Sequence, residues 1–292
     1  MPLRYRRALP ADVRGAMPLL EPDRPLFSRE TWRVLPELLE DLVARQRILL
    51  CVIEDSDAGR LRLVGGSAFL DERFLRDALG RTGESVLERA LVSEGRHRAA
   101  FLDVRQIASA NRRADLSLAP FFGVPFELRP DELGIATEAF TFFHKGYQLR
   151  AIWSESADRG QAELYGQIGL RLHREHTSDD GKPVWLFHTT REEALKTPAS
   201  WPASVMLSPL PRFGFTRAQQ NLLELALLDQ SDREIAERLE VSEDAVKKRW
   251  RSIYVKVAGV EPRVLERGAS GAVRRRALLQ RLRQNLEELR PF

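Results

Sequence analysis

The stretch DELGIATEAFTFFHKGYQLRAIWSE, Asp131 to Glu155, changes habit halfway along. Its first part reads as a helix from about Glu132 to Lys145, and from Tyr147 the run YQLRAIWSE reads as a strand. Working outward, a helix over Arg159–Gln167 leads to further strands at GLRLHREH, from Gly169, and PVWLFHTT, from Pro183. Upstream, RILLCVIED and RLRLVGGSAFL flank the turn-like SDAG and predict a hairpin from Arg47 to Leu70. Helical patterns lie on both sides of it, Arg29–Arg45 and Asp71–Leu91, and AAFLDVRQI predicts one more strand from Ala99. Strands and helices in this mixed order predict an α+β sandwich, and no internal repeat or low-complexity tract interrupts it.

Size and composition bound the rest. With 292 residues, 43% apolar and 30% charged, the chain can bury a sizeable core, and its length fits two domains. The basic start lacks the apolar core of a signal peptide. The longest strongly apolar run, Ile48–Ile53, falls far short of the ~20 residues of a membrane helix. A cytoplasmic protein with no membrane partner is expected. The single cysteine, Cys51, excludes an internal disulfide framework and reads as a small buried hydrophobe. From Arg212 to Phe292 there are 17 Lys and Arg against 12 Asp and Glu, so the chain's positive surplus sits in its last quarter, the footprint of a polyanion partner. KTPASWPASVMLSPLPR, from Lys196 to Arg212, carries four prolines and predicts a linker without continuous helix. The expected domains are 1–195, a linker at 196–212, and 213–292.

The last domain carries clear helix starts. Thr216 with Gln219 and Ser231 with Glu234 have capping-box spacing, and Ser242 precedes Glu243 and Asp244 in a third first turn. Val246, Trp250, Ile253 and Val257 share one face of that third helix, with Lys247, Lys248, Arg249, Arg251 and Lys256 on the rest. Such a helix has the diameter of a major groove. Phe215–Val257 resembles the LuxR-type (GerE-like) helix-turn-helix domain, through Thr216, Leu222, Leu223, Ser231, Glu234, Ile235, Ala236, Leu239, Ser242, Val246, Lys247 and Lys256. The resemblance implies an all-α module whose third helix binds duplex DNA, with Ser242, Lys247, Lys248, Arg249, Arg251 and Lys256 as the expected contacts. Gln219, Asp229 and Ala245 depart from the family's usual glutamate, glycine and phosphate-binding threonine. Past Val260, Leu278, Leu282, Leu286 and Leu289 form a helical stripe that packs in cis or against a second copy, and a homodimer is expected. Arg274, Arg275 and Arg276 are further candidate phosphate contacts.

The larger domain resembles a degenerate GNAT acyltransferase fold. LRYRRALPADV is similar to that fold's opening strand and turn, DELGIATEAFTFFHKGYQLRAIWSE to its pyrophosphate loop, helix and strand, and AELYGQIGLRLHRE to its late helix and last hairpin. The resemblance implies a coenzyme A contact at Gly134 and Ala136 and a general acid at Tyr165. Asp131 and Glu132 stand where the ligand is anionic, and a like-charge contact there costs ~1 kcal/mol even at surface-like dielectric. His173 and His176, three apart on a strand, should point to opposite faces, so no shared metal is expected. Trp153, Trp185, Phe121 and Phe122 read as core or as the wall of a ligand cavity.

These readings converge on a DNA-binding transcription regulator that is not an enzyme. Its partners would be double-stranded DNA, a second copy and an effector at the N-terminal domain, with no cofactor or metal. The alternative is an acyl-CoA-dependent acyltransferase fused to a DNA-binding domain, and a third reading is a dimerisation domain without a ligand.

Overall fold

The computed structural model describes residues 3–55, 57–81, 83–121, 129–178, 181–265 and 270–292. The chain begins with β1 (Leu3–Arg7), α1 (Asp12–Ala16), a 3₁₀ segment (Met17–Leu26) and α2 (Arg29–Ala44). The hairpin β2 (Leu49–Asp55) and β3 (Arg60–Leu70) precedes three helices, α3 (Glu72–Leu79), α4 (Val86–Gly95) and α5 (Val104–Arg112). Then come β4 (Leu116–Phe121), α6 (Pro130–His144), β5 (Leu149–Ser156), α7 (Arg159–Gln167), β6 (Arg171–Thr177), β7 (Pro183–Thr190), α8 (Arg191–Lys196) and α9 (Trp201–Met206). The remainder is helical: α10 (Arg217–Leu227), α11 (Asp232–Arg238), α12 (Glu243–Val260) and α13 (Gly271–Gln284), with 3₁₀ turns at Pro262–Val264 and Leu286–Leu289. The chain divides into two units, one of Met1–His144 with Gln148–Leu207, the other of Lys145–Tyr147 with Ser208–Phe292.

In the first unit the seven strands form one sheet in the order β1-β2-β3-β4-β5-β7-β6, antiparallel except for β4 beside β5. Because side chains alternate along a strand, each face has its own covering. Leu50 and Val52 of β2, Val64 and Ala68 of β3 and Leu186 of β7 join Leu35, Leu39 and Leu42 of α2 and Leu91 of α4 in the main core. Ser28 opens α2 by accepting from Thr31 N at 3.2 Å, and Thr31, Leu35, Leu39 and Leu42 then fall on its buried side.

Two readings from the sequence change here. The single helix expected over Asp71–Leu91 is two, because Ser85 recaps the chain as α4 by accepting from Glu88 N at 3.0 Å. The strand expected from Ala99 is a helix after a single bridge from Phe101 to Leu70. Asp103 and Gln106 close a reciprocal capping box that starts α5. The strand that follows, LSLAPF, was not anticipated; Pro120 is tolerated in it because β4 has by then lost its neighbour on one side.

In the second unit all three expected caps form: Thr216 with Gln219, Ser231 with Glu234, and Ser242 accepting from Ala245 N at 3.2 Å. Leu222, Leu223, Ile235, Val246, Ile253 and Val257 are buried, as is Trp250 at 5% exposure. Asp229 holds φ at +58°, a left-handed position that an aspartate adopts more readily than most residues. A knot of charge ties α11, α12 and α13 together. Asp232 accepts from Trp250 Nε1 at 3.1 Å and from Arg275 at 2.6 Å, while the Arg275 guanidinium lies 4.7 Å over the Trp250 ring. Among the described residues no helix is long and apolar enough to cross a membrane.

Candidate functional site

The one parallel pair in the sheet does not stay paired. β4 and β5 are in register only at Leu116↔Leu149, Ser117↔Ala151 and Leu118↔Ile152, with an irregularity after the first pair. Beyond that point each strand keeps its outer neighbour: β4 continues along β3 to Phe121↔Gly66, and β5 along β7 to Ser156↔Trp185. The strands therefore part, and the facing edges of Ala119–Pro120 and Trp153–Ser154 have no ladder across the gap. Extended backbone edges of this kind accept an amide-bearing chain as a substitute strand.

The gap opens into a cavity of 330 Å³ between the sheet and α6 and α7. Its walls are mainly apolar, with Ile152, Leu164, Ile168 and Phe140 near the gap. Ser154, only 2% exposed, lines it from β5, and its hydroxyl has no hydrogen-bond partner among the described residues. Leaving a buried hydroxyl unsatisfied costs on the order of 1–3 kcal/mol, so its position asks for an acceptor that the described residues do not provide. Tyr165 reaches the same space from α7, its ring set edge-on to Phe187 at 5.6 Å. His144 also lines the cavity but is consumed structurally. Its Nδ1 donates to Phe140 O at 2.8 Å, its Nε2 accepts from the Ser67 hydroxyl at 2.6 Å, and its ring stacks on Phe140 at 4.1 Å.

At the start of α6 the two carboxylates take different places. Glu132 accepts from Arg129 at 3.1 Å, from Arg62 at 2.9 Å and from the Arg129 backbone at 3.2 Å. The hydrogen bonds from Arg129 and Arg62 pull its pKa down to about 2. Asp131 is also paired, 3.5 Å from Arg129. Two guanidiniums thus balance the two carboxylates, and the local repulsion expected against an anion is offset. Of the predicted contacts, Ala136 is buried and lines the cavity, whereas Gly134 is exposed with nothing within 4 Å of where a Cβ would be. Phe122, with the rest of 122–128, lies outside the described residues.

The opposite face of β5 carries a second cluster. Trp153 stacks on His188 at 4.9 Å, and His173 meets both rings edge-on at 5.3 Å. His173 and His176 do not point to opposite faces. A β-bulge between Leu172 and Arg174 inserts one residue, so His173 turns to Trp153 while His176 comes under the influence of Glu155 on the same side. Burial, then the neighbouring His188 and Arg174, hold His173 below its usual pKa; burial does the same for His176. Glu155 itself is occupied, accepting from Ser85 Oγ at 2.8 Å and from Val86 N and Leu87 N at 2.9 Å.

The cations offered for DNA occupy α12, in the second unit. Lys247 and Arg251 are exposed and Arg249 half-buried, while Lys248 pairs with Asp244 at 3.0 Å. The Asp244 carboxyl is lowered first by its hydrogen bond from Lys248 and also by the charges of Lys247 and Arg251. Lys256 donates to Gly214 O at 2.6 Å, and Ser242 is spent as the helix cap.

No family model matches the chain. No curated protein matches it either. Solved structures do: a GNAT-family acetyltransferase from Streptococcus pneumoniae, at 16% identity over 65% of this chain and 99% of that one, with a TM-score of 0.38. A spermidine N-acetyltransferase from Vibrio cholerae matches at 13% identity over 67% and 97%, TM-score 0.40, and NAA60 of Arabidopsis thaliana with a bisubstrate analogue at 12% over 65% and 99%, TM-score 0.40. The expectations of a non-enzymatic, LuxR-type DNA-binding transcription regulator with double-stranded DNA as its partner are corrected on this finding, since the structures that match are acetyltransferases. Part of what the sequence offered to phosphates is bonded within the helix or to its own unit.

Proposed function

We propose that the first unit is an acyl-CoA-dependent acyltransferase working through the gap between β4 and β5. The observation that carries this is the parted parallel pair opening on an apolar cavity that holds the unpartnered Ser154 hydroxyl. The pantetheine arm of a coenzyme A thioester has the amides to extend a strand edge, and Ser154 offers a donor for one of its carbonyl oxygens. Ala136, with Leu133 and Thr137, walls the site from α6, and the balanced charge at Arg62, Arg129, Asp131 and Glu132 leaves that helix start compatible with a phosphate.

Bound there, the thioester supplies an activated acyl group. An acceptor amine entering from the Trp153, His173 and His188 face would have its nitrogen bond to the thioester carbon as the carbon–sulfur bond breaks. The lowered pKa of His173 keeps an imidazole neutral and ready to take the proton that the amine loses. Tyr165 would give its hydroxyl proton to the departing sulfur and recover one from solvent.

Titration of coenzyme A and acetyl-CoA into the full chain by calorimetry, with thiol release followed in the presence of simple amines, tests this. Saturable binding near one site per chain and amine-dependent release of thiol are expected. The absence of binding by any coenzyme A thioester would refute the proposal.

A further inference from the structure

The cavity is larger and longer than an acetyl group needs. From Ser154 and Tyr165 it continues beneath α6, across the sheet, to Cys51 and Ile53 of β2. Adjacent strands are ~4.8 Å apart, so the passage from β4 to β2 alone spans ~10 Å. The register explains why the passage is open. Cys51 lies opposite Gly65, so β3 sends no side chain into the middle of the floor, and α6 lines the same space with the small Ala136 and Ala139 between the larger Phe140, Phe143 and His144. At the far end Ile53, Leu63 and Phe143 close it, all 4% exposed or less. Along this inner stretch, Cys51 is the most polar side chain on the floor, and His144 above it has both ring nitrogens engaged. An apolar space of this kind holds water poorly and favours methylene groups.

We infer that the donor carries a medium-length acyl chain, of about eight carbons by the two strand spacings the passage covers, and that the floor at Gly65 sets this length. The inference rests on the acyltransferase reading above. The thioester end would stay at the gap beside Ser154 and Tyr165, and the chain would run under α6 toward Ile53.

Binding, and not turnover, is the readout: coenzyme A, acetyl-, butanoyl- and octanoyl-CoA and free octanoate titrated into the full-length chain. Each added methylene should tighten binding about fourfold until the cavity is filled, so that octanoyl-CoA binds about 100-fold or more tighter than acetyl-CoA. Gly65→Val, whose side chain occupies the passage, should reduce the octanoyl-to-acetyl ratio at least about tenfold. Ile53→Phe shortens the far end and serves as a second variant, and the wild-type series decides alone should neither fold. Equal affinity for acetyl- and octanoyl-CoA, or a ratio unmoved by a folded variant, overturns the chain-length inference and leaves the acyltransferase reading standing. Octanoate binding as tightly as octanoyl-CoA overturns it in favour of a fatty-acid site. Failure of every coenzyme A thioester to bind brings down the reading itself.

Discussion

The gap between β4 and β5 and the outer face of α12 both present polar chemistry, but they use it in opposite ways. At α12 the charges are numerous, solvated and partly answered within reach: Lys248 by Asp244, Lys256 by Gly214 O. At the gap the polar groups are few and enclosed, and the Ser154 hydroxyl finds no partner among the described residues. A solvated cation costs little and commits to little, whereas a buried hydroxyl without a partner is a cost that persists unless something binds. The quieter region is therefore the stronger indication of a ligand.

The largest effect that could break this contrast lies at Tyr165. Tyr165→Phe keeps the ring against Phe187 but removes the proton donor, and kcat should fall by about 100-fold or more with coenzyme A affinity little changed. An unaltered kcat would take Tyr165 out of the chemistry. Next is Glu132. Its folded pKa of about 2 lies below its ordinary value of 4.5, so its contribution to stability is present above pH 4.5 and is lost as the pH falls toward 2. Glu132→Gln should lower the thermal midpoint by several degrees at pH 7, leaving Arg62 and Arg129 without their shared carboxylate, and its midpoint should then fall less than the wild type's between pH 4.5 and 2. Parallel pH curves would show that the carboxylate is not coupled to folding. Smaller, and of two signs, is Ser154→Ala. The unliganded chain should gain about 1 kcal/mol, since an unsatisfied buried hydroxyl is removed, while coenzyme A binding weakens. Loss of stability instead would mean that the hydroxyl already has a partner.

How much of this was legible follows from how local each cause is. The caps at Thr216, Ser231 and Ser242 are written within four residues and were read correctly, as were the β2–β3 hairpin and the α6–β5 succession. Asp103-x-x-Gln106 is equally local, and its capping box starts α5 where the alternation of AAFLDVRQI suggests a strand. The gap itself has no such signature. It depends on where two strands far apart in sequence stop pairing, and nothing in LSLAPF or YQLRAIWSE states that register. The bulge that brings His173 onto the Trp153 face is similarly invisible, because a strict alternation sends His173 and His176 apart. Tyr165 and Ala136 were marked by resemblance alone, and Ser154 by nothing, since an orphaned hydroxyl exists only once its surroundings are folded. The function was read from α12 because charge is conspicuous in a sequence and an absent hydrogen bond is not.

The smallest expected effect tests the other half of the contrast. Lys248→Ala deletes an exposed i,i+4 partner of Asp244, and such pairs gain little because water solvates both ions nearly as well apart. The thermal midpoint should move by no more than about 1 °C, and acyl-CoA binding should not change, since the substitution lies in the second unit and the cleft is built wholly from the first. The Asp244 carboxyl, held low chiefly by Lys248, should rise toward its ordinary value in the variant, which NMR titration of its side chain would follow. A midpoint shift of many degrees would mean that the solvated face of α12 bears on folding more than its exposure allows. A change in acyl-CoA affinity would mean that its charge is felt at the cleft, and either result would dissolve the distinction between a region that holds its charges in water and one that holds a hydroxyl in reserve.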